Sequence, residues 1–316
     1  MVLNPASNDL DLVVRAAWLY YEDGLTQAQI ATRLFVSRQT VGRLLESARQ
    51  HGIVRIELDA QYLAAMDLAT QVREKFGLRD AVVVPTAQGR LSRERTNERV
   101  AAALAAFVRR RLHPGAVVGV CWGDSVARSL SMLSEESLDG VQFVSTAGEL
   151  SAIDEVLTRS PHVLRRLRTM PAPLLVSNEE VARAMQAETA VRDVIDLARS
   201  AVVTLTGMGA ATPGGSAVSF GVATDEEVAE FAARGAVGDM LGEWYDAKGQ
   251  VVETSWSRRR IGLGLEELRG LDNVVGVAGG VDKVAAISGA IAGRLISALV
   301  TDEPTAAALL ERPAPR

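Results

Sequence analysis

Apolar residues recur at helical spacing through the first fifty positions of the chain and then as short continuous runs through the remainder, so the pattern divides the molecule in two. From Asp9 to Glu22 (DLDLVVRAAWLYYE), Leu12, Ala16, Leu19 and Tyr20 share one face, which predicts a first helix. Trp18 and Tyr21 sit at the same spacing and are read as core or domain-contact residues rather than as aromatics for base stacking. Thr26 is placed to cap a second helix, Gln29 to complete a capping box, and Ile30, Ala31 and Leu34 to form its buried stripe. Phe35 and Val36 make an apolar turn, and Ser37 caps a third helix whose stripe is Val41, Leu44, Leu45 and Ala48, ending near Gly52. The alternating segment Ile53 to Leu58 predicts a strand. Three helices and a strand in this order are the layout of a winged helix-turn-helix, ending near Asp59.

Residues 60–77 carry Leu63, Met66, Ala69, Val72 and Phe76 at helical spacing and are expected to form a linker helix, or one that pairs with a second subunit. Beyond Asp80, Val-rich runs at 80–84, 116–120, 141–145, 174–176, 201–205 and 273–278 alternate with helical segments. Continuous apolar strands separated by helices predict a mostly parallel sheet covered on both faces. The expected fold class is therefore α/β: a small all-α winged helix-turn-helix over residues 1–59, then a doubly wound domain over residues 60–316.

Charge sharpens the first assignment. From Gly24 to Ile56 the chain has Arg33, Arg38, Arg43, Arg49 and Arg55 against one acid, Glu46, a local +4 in a protein of formal charge −5. Phosphate neutralisation needs such a patch, and the acidic remainder would repel nucleic acid. The candidate DNA-binding residues are Thr26, Ser37, Arg38, Gln39, Thr40, Arg43 and Arg55, with double-stranded operator DNA as the partner. A length of 316 residues fits two domains, and 48% hydrophobic residues provide a sizeable core. The single cysteine, Cys121, forms no internal disulfide, and its place in an apolar strand predicts an inert thiol. No run of eighteen apolar residues is free of charge, and no leader pattern opens the chain, so a cytoplasmic protein without a membrane span is expected.

In an open α/β sheet, ligands sit beyond the carboxyl ends of the strands. Four such ends carry polar or glycine-bearing loops: Trp122, Gly123, Asp124 and Ser125; Thr146, Ala147, Gly148 and Glu149; Thr206, Gly207, Met208 and Gly209; and Gly279 to Lys283. Any one of them is equally well explained as turn geometry, but four at equivalent ends point to one pocket. Lys283 opens a helix, where the dipole does not favour a cation, so its placement suits an anion or a sugar hydroxyl. Arg258, Arg259 and Arg260 read as a solvated strand edge. His51, His113 and His162 lie outside the four loops, and no metal- or nucleotide-binding spacing occurs, so neither an enzyme nor a cofactor is expected. Asp124, Glu149 and Asp239 keep an acid–base enzyme as the alternative.

The helix-turn-helix followed by GIVRIEL, the WGDS loop, GAVGD at 235–239 and the terminal AGGVDKVAAISGAIAGRLISALVTDEPTAAALL together resemble the SorC family of bacterial sugar-responsive transcriptional regulators. The resemblance covers nearly the whole chain. It implies an operator-binding head joined to a phosphosugar-isomerase-like, Rossmann-type domain that binds a sugar, polyol or sugar phosphate, and assembly as a homodimer or homotetramer. By position it assigns Gly123, Asp124, Ser125, residues 146–149, Gly207, Met208, Gly209, Asp239 and Lys283 to the effector pocket. Where the family often has a glycine-rich turn suited to phosphate, this chain has TAGE. Glu149 there is expected to repel a dianion and favour an unphosphorylated ligand, while Lys283 argues the other way.

Overall fold

The first unit opens with three helices, the second and third of them started by local caps. In the computed structural model, which describes residues 5–55, 60–86, 92–121, 123–149 and 160–314, these are α1 (Pro5–Tyr21), α2 (Gln27–Leu34) and α3 (Arg38–Gln50). Thr26 accepts from the Gln29 N–H, and Gln29 Oε1 accepts from the Thr26 N–H at 2.9 Å, a reciprocal box at the start of α2. Ser37 Oγ accepts from the Thr40 N–H at 3.0 Å at the start of α3. Caps of this kind stabilise a helix by about 1 kcal/mol each. Phe35 closes α2 in the left-handed region at φ 57° and is 96% exposed. Ala16, Leu19, Ile30, Val41 and Leu45 form the core of this unit.

Two expectations change here. Trp18, 61% exposed, and Tyr21 lie on the surface of the unit and contribute nothing to its core. The segment from Ile53 to Arg55 follows α3 as bends and coil, and residues 56–59 of the expected wing strand lie outside the described residues.

The chain divides into two compact units, Met1–Asp59 and Ala60–Arg316. The second contains α4 (Ala60–Phe76), β1 (Asp80–Val84), α5 (Arg93–Arg109), β2 (Val117–Val120), α6 (Asp124–Ser131), β3 (Gln142–Ser145) and β4 (Leu167–Arg168). It continues with α7 (Glu179–Ala187), α8 (Thr189–Arg199), β5 (Val203–Gly207), β6 (Gly209–Ala210), α9 (Asp225–Ala233), β7 (Gly238–Met240) and β8 (Glu243–Tyr245). The last elements are β9 (Val274–Val277), α10 (Val284–Ala292), β10 (Ala298–Asp302) and α11 (Glu303–Leu310). Seven strands form one sheet in the order β1-β10-β9-β5-β2-β3-β4, every pair parallel. A separate antiparallel sheet runs β6-β7-β8.

Alternation within the strands sorts the helices. Val82, Val118, Val120, Leu205 and Val277 face a cluster built with Val100, Leu104 and Leu130 of α5 and α6. Val83, Val274 and Leu299 face the opposite cluster, which includes Val72 and Phe76 of α4, Ile287 of α10 and Leu309 of α11. Both faces are buried, so the strands read as unbroken apolar runs. The helix expected as a linker is therefore packed into the second unit: α4 lies against β1 and α11, and Lys75 Nζ donates to the Leu310 carbonyl at 2.6 Å.

The order of strands fixes where a ligand can sit. From β2 the chain moves outward through β3 and β4, and from β5 it moves the opposite way through β9 to β10. The crevice opens between the carboxyl ends of β2 and β5, where the winding reverses.

Candidate functional site

At that crevice the ends of β2 and β5 approach closely: a Cβ on Gly123 would lie 3.5 Å from Gly207 Cα. A cavity of about 510 Å³ opens there. Its buried end is apolar, with Cys121, Leu174, Met208, Met240, Leu241 and Trp256, and its outer part carries Arg93, Glu94, Asn97, Asp124 and Arg128. Of the sequence-predicted residues, Gly123, Asp124, Ser125, Ala147, Gly207, Met208, Gly209, Asp239 and Lys283 all line it. Trp122 lies outside the described residues.

The loop at 146–149 does not reach this cavity beyond Ala147. Thr146 is fully buried with its hydroxyl donating to the Val120 carbonyl at 3.2 Å. The Gly148 N–H donates to the Ile261 carbonyl at 3.0 Å, and a Cβ on Gly148 would strike the Pro173 carbonyl. Glu149 is exposed, its N–H bonded to the Ala172 carbonyl and its own carbonyl to the Leu174 N–H. Backbone pairing with residues 172–174 and 261 draws this loop away, and with it goes the argument that Glu149 repels a phosphate. Glu149→Gly is accordingly expected to alter the affinity for a sugar or its phosphate by no more than about 0.5 kcal/mol, as for an ordinary surface change. Calorimetry with such a pair would contradict this if selectivity moved tenfold.

Within the cavity three of the outer polar groups, Asp124, Arg128 and Arg93, are already matched. Arg128 Nε donates to Asp124 Oδ1 at 2.8 Å, Asn97 Nδ2 donates to Asp124 Oδ2 at 3.0 Å, and Arg93 pairs with Asp282 at 3.0 Å. The inner pair differs. Lys283, 6% exposed, donates from Nζ to Ser216 Oγ at 2.8 Å. Asp239 Oδ1 is buried without a hydrogen-bond partner among the described residues. That carboxylate packs over Gly209, where even a methyl group would collide with it, so only glycine fits the position. Burial pushes the Asp239 carboxyl up to about 6, against the opposing charge of Lys283. Burial likewise depresses Lys283, while Asp239 and Asp282 act to raise it and Arg93 to lower it. Cys121, in the same wall, is pushed up to about 11 by burial, which keeps its thiol protonated and unreactive.

The sign of the Asp239 effect gives a test. In the fold it holds its proton up to about pH 6, against an ordinary value of 3.8. Across that window the native state binds more protons than the unfolded chain, so stability falls as pH rises, by about 1.4 kcal/mol per pH unit from this group. Thermal melts of Asp239→Asn should show an advantage over the parent that grows from pH 4 to pH 7. Parallel pH profiles for the two proteins would contradict the assignment.

Ser216, Trp256, Asn97 and Arg93 were not legible as cavity residues. Ser216 sits in a Pro/Gly-rich stretch that signals only a loop, and Trp256 reaches the cavity from a segment without periodic pattern. Nor are the three consecutive arginines a solvated edge. Arg260 is 8% exposed and pairs with Glu243 at 3.9 Å, and Arg259 Nε donates to the Val176 carbonyl at 2.7 Å; only Arg258 is a surface residue.

In the first unit, Thr26, Ser37 and Thr40 are engaged in caps, with Ser37 Oγ also 2.8 Å from Thr40 Oγ1. Arg38, Gln39, Arg43 and Arg55 are exposed. Their side chains make no hydrogen bond or ion pair to another described residue. Arg38 and Thr26 also line an open groove with Tyr20, Gln27 and Ala28 at the start of α2. The hydroxyls therefore orient the helices, and the arginines with Gln39 are exposed donors without a partner among the described residues.

Residues 60–311 match the family model of a sugar-binding domain, and residues 16–61 match that of the MarR family. The transcriptional regulator LsrR of Enterobacter sp. (strain 638) is 35% identical over 96% of this chain and 94% of its own. LsrR of Escherichia coli (strain K12) is 34% identical over 94% of each. Among solved structures, the full-length sorbitol operon regulator SorC from Klebsiella pneumoniae superposes with a TM-score of 0.71 at 31% identity, over 96% of this chain and 99% of that one.

Proposed function

From a chain that belongs to the SorC family of sugar-responsive transcriptional regulators, with a DNA-binding helix-turn-helix and a sugar-binding domain, we propose an allosteric sensor in which occupancy of the cavity at the β2–β5 crevice controls operator binding. The observation that carries this reading is the inner pair. Asp239 Oδ1 needs a donor, and a hydroxyl of a sugar, polyol or sugar phosphate supplies one. Lys283 offers a cation to an oxygen of the same ligand. Gly123, Asp124, Ser125, Gly207, Met208 and Gly209 complete the contact surface, and a ligand seated there excludes water from the pair.

Arg38, Gln39 and Arg43 read base edges, and Arg55 and the groove beside Thr26 hold the phosphate backbone. One short helix reads few base pairs, so two copies address a two-fold operator whose half-sites lie one or more turns apart, roughly 34 to 36 Å per turn. Within the second unit, α11 packs on α4, the first helix after residue 59. A sugar that binds two arrangements of the oligomer unequally shifts operator affinity about 5- to 150-fold, for a coupling of about 1 to 3 kcal/mol. The relatives are regulators and not enzymes. No helix among the described residues is long and apolar enough to cross a membrane. The deciding experiment titrates the purified protein against DNA of its own promoter region at low ionic strength, with and without a panel of sugars, polyols and their phosphates. Specific binding that one class of compound shifts is the expected outcome, and indifference to that DNA under every condition would end the proposal.

A further inference from the structure

The motifs GGVDK (279–283) and TDEPT (301–305), well separated in the chain, meet at one peptide. Gly280 lies at φ 104°, ψ 137°, where a side chain is strained, and a Cβ would come within 2.6 Å of Asp282 Oδ1. Its N–H donates to Thr305 Oγ1 at 2.9 Å and, at 3.4 Å, to Asp302 Oδ1. Its carbonyl accepts from the Lys283 N–H at 2.9 Å, which closes the tight turn Val281–Lys283. Two residues earlier, the Ala278 carbonyl accepts from Thr301 Oγ1 at 2.7 Å. Thr301, Asp302 and Thr305 are all buried.

Capping α11 explains only part of this. The cap is Asp302 Oδ1 accepting from the Thr305 N–H at 3.1 Å, and it requires nothing of the Thr305 side chain. The Thr305 hydroxyl serves the Gly280 peptide instead. A lysine side chain has four rotatable carbons, so its amine is well placed only if its Cα is held. Glycine at 280 supplies no stiffness of its own.

We propose that Thr305, assisted by Asp302, is a positioning residue of the effector site: it holds the Gly280 peptide, and through that peptide the turn that carries Lys283, whose amine donates to Ser216 Oγ. The inference rests on the reading of Lys283 as an effector contact, and it explains why the two motifs belong together.

Lysine occurs only at 75, 248 and 283, so selective carbon-13 lysine labelling of the full chain gives three side-chain signals, and Lys283→Arg identifies the one of interest. Asp239, Asp282 and Arg93 are the charged groups acting on that amine, and burial holds its titration below the ordinary lysine range. Thr305→Val keeps the branched shape and removes the acceptor. In this variant, without any ligand, the Lys283 signal should titrate higher, with proton affinity raised about tenfold as the amine gains water. Thr305→Ser should titrate as the parent does. A Thr305→Val titration that matches the parent overturns the proposal, as does a Thr305→Ser titration displaced as far as that of Thr305→Val. Gly280→Ala disturbs the same contact from the peptide side and carries the same expectation if Thr305→Val does not accumulate. Because the free protein is read, failure here leaves the effector role of Lys283 standing. An unchanged dose response in Lys283→Ala, with the titration difference intact, would remove that role and leave the clasp.

Discussion

Lys283→Ala should bind operator without effector within about twofold of the parent protein, the range of a change remote from the contact, and should lose the effector response entirely. The residue belongs to the cavity of the second unit, and the free arginines of α3 belong to the first. What disappears is the differential affinity of the ligand for two arrangements, and without it the 5- to 150-fold shift expected of a coupling of about 1 to 3 kcal/mol collapses to none. Asp239→Ala should give the same phenotype from the opposite charge, since it removes the buried acceptor to which the proposal assigns a ligand hydroxyl. The two variants differ in the free protein. Removing Lys283 takes away the charge that opposes the burial of Asp239, so its carboxyl moves further above about 6. Removing Asp239 relieves an unpartnered buried acid. Anisotropy of labelled operator, titrated with protein at fixed effector concentrations, measures both quantities. Dose responses unchanged in both variants would place the effector elsewhere.

Arg38→Ala and Arg43→Ala should each weaken operator binding by about 1 to 3 kcal/mol if the side chain contacts a base, and should relax the sequence preference at one position. Arg55→Ala should instead weaken binding evenly across sequences and reduce the salt slope by about one, the signature of a lost phosphate contact. These outcomes follow from exposure: Arg38, Gln39 and Arg43 stand on the outer face of α3, while Val41, Leu45 and Ala48 of the same helix are buried. Titrations over several salt concentrations separate the two kinds of contact. Full affinity in both α3 variants would move the reading face to another part of the head.

The head was legible because its determinants are local. Thr26 with Gln29 and Ser37 with Thr40 act across three residues, so cap and partner are read from the same short stretch. The strands β1, β2, β3, β5 and β9 were legible as apolar runs bounded by turns. β10 was not, because Ala298–Asp302 follows the apolar helix α10 closely and the two patterns merge. The small β6-β7-β8 sheet was missed for a different reason: its strands have two or three residues each, too few to show a period. Glu149 was misplaced because position at a strand end says nothing about which neighbour the loop then pairs with.

The amino-acid sequence alone determined the capped helices of the head and the parallel α/β character of the remainder, because propensity, capping and hydrophobic period act over a few residues at a time. Only the tertiary structure decided that Asp239 Oδ1 is buried without a hydrogen-bond partner among the described residues, that Arg260 is buried on Glu243, and that Thr305 reaches the Gly280 peptide. Those contacts join residues far apart in the chain, and their energies depend on burial, which is a property of the packed molecule and of no single stretch of it.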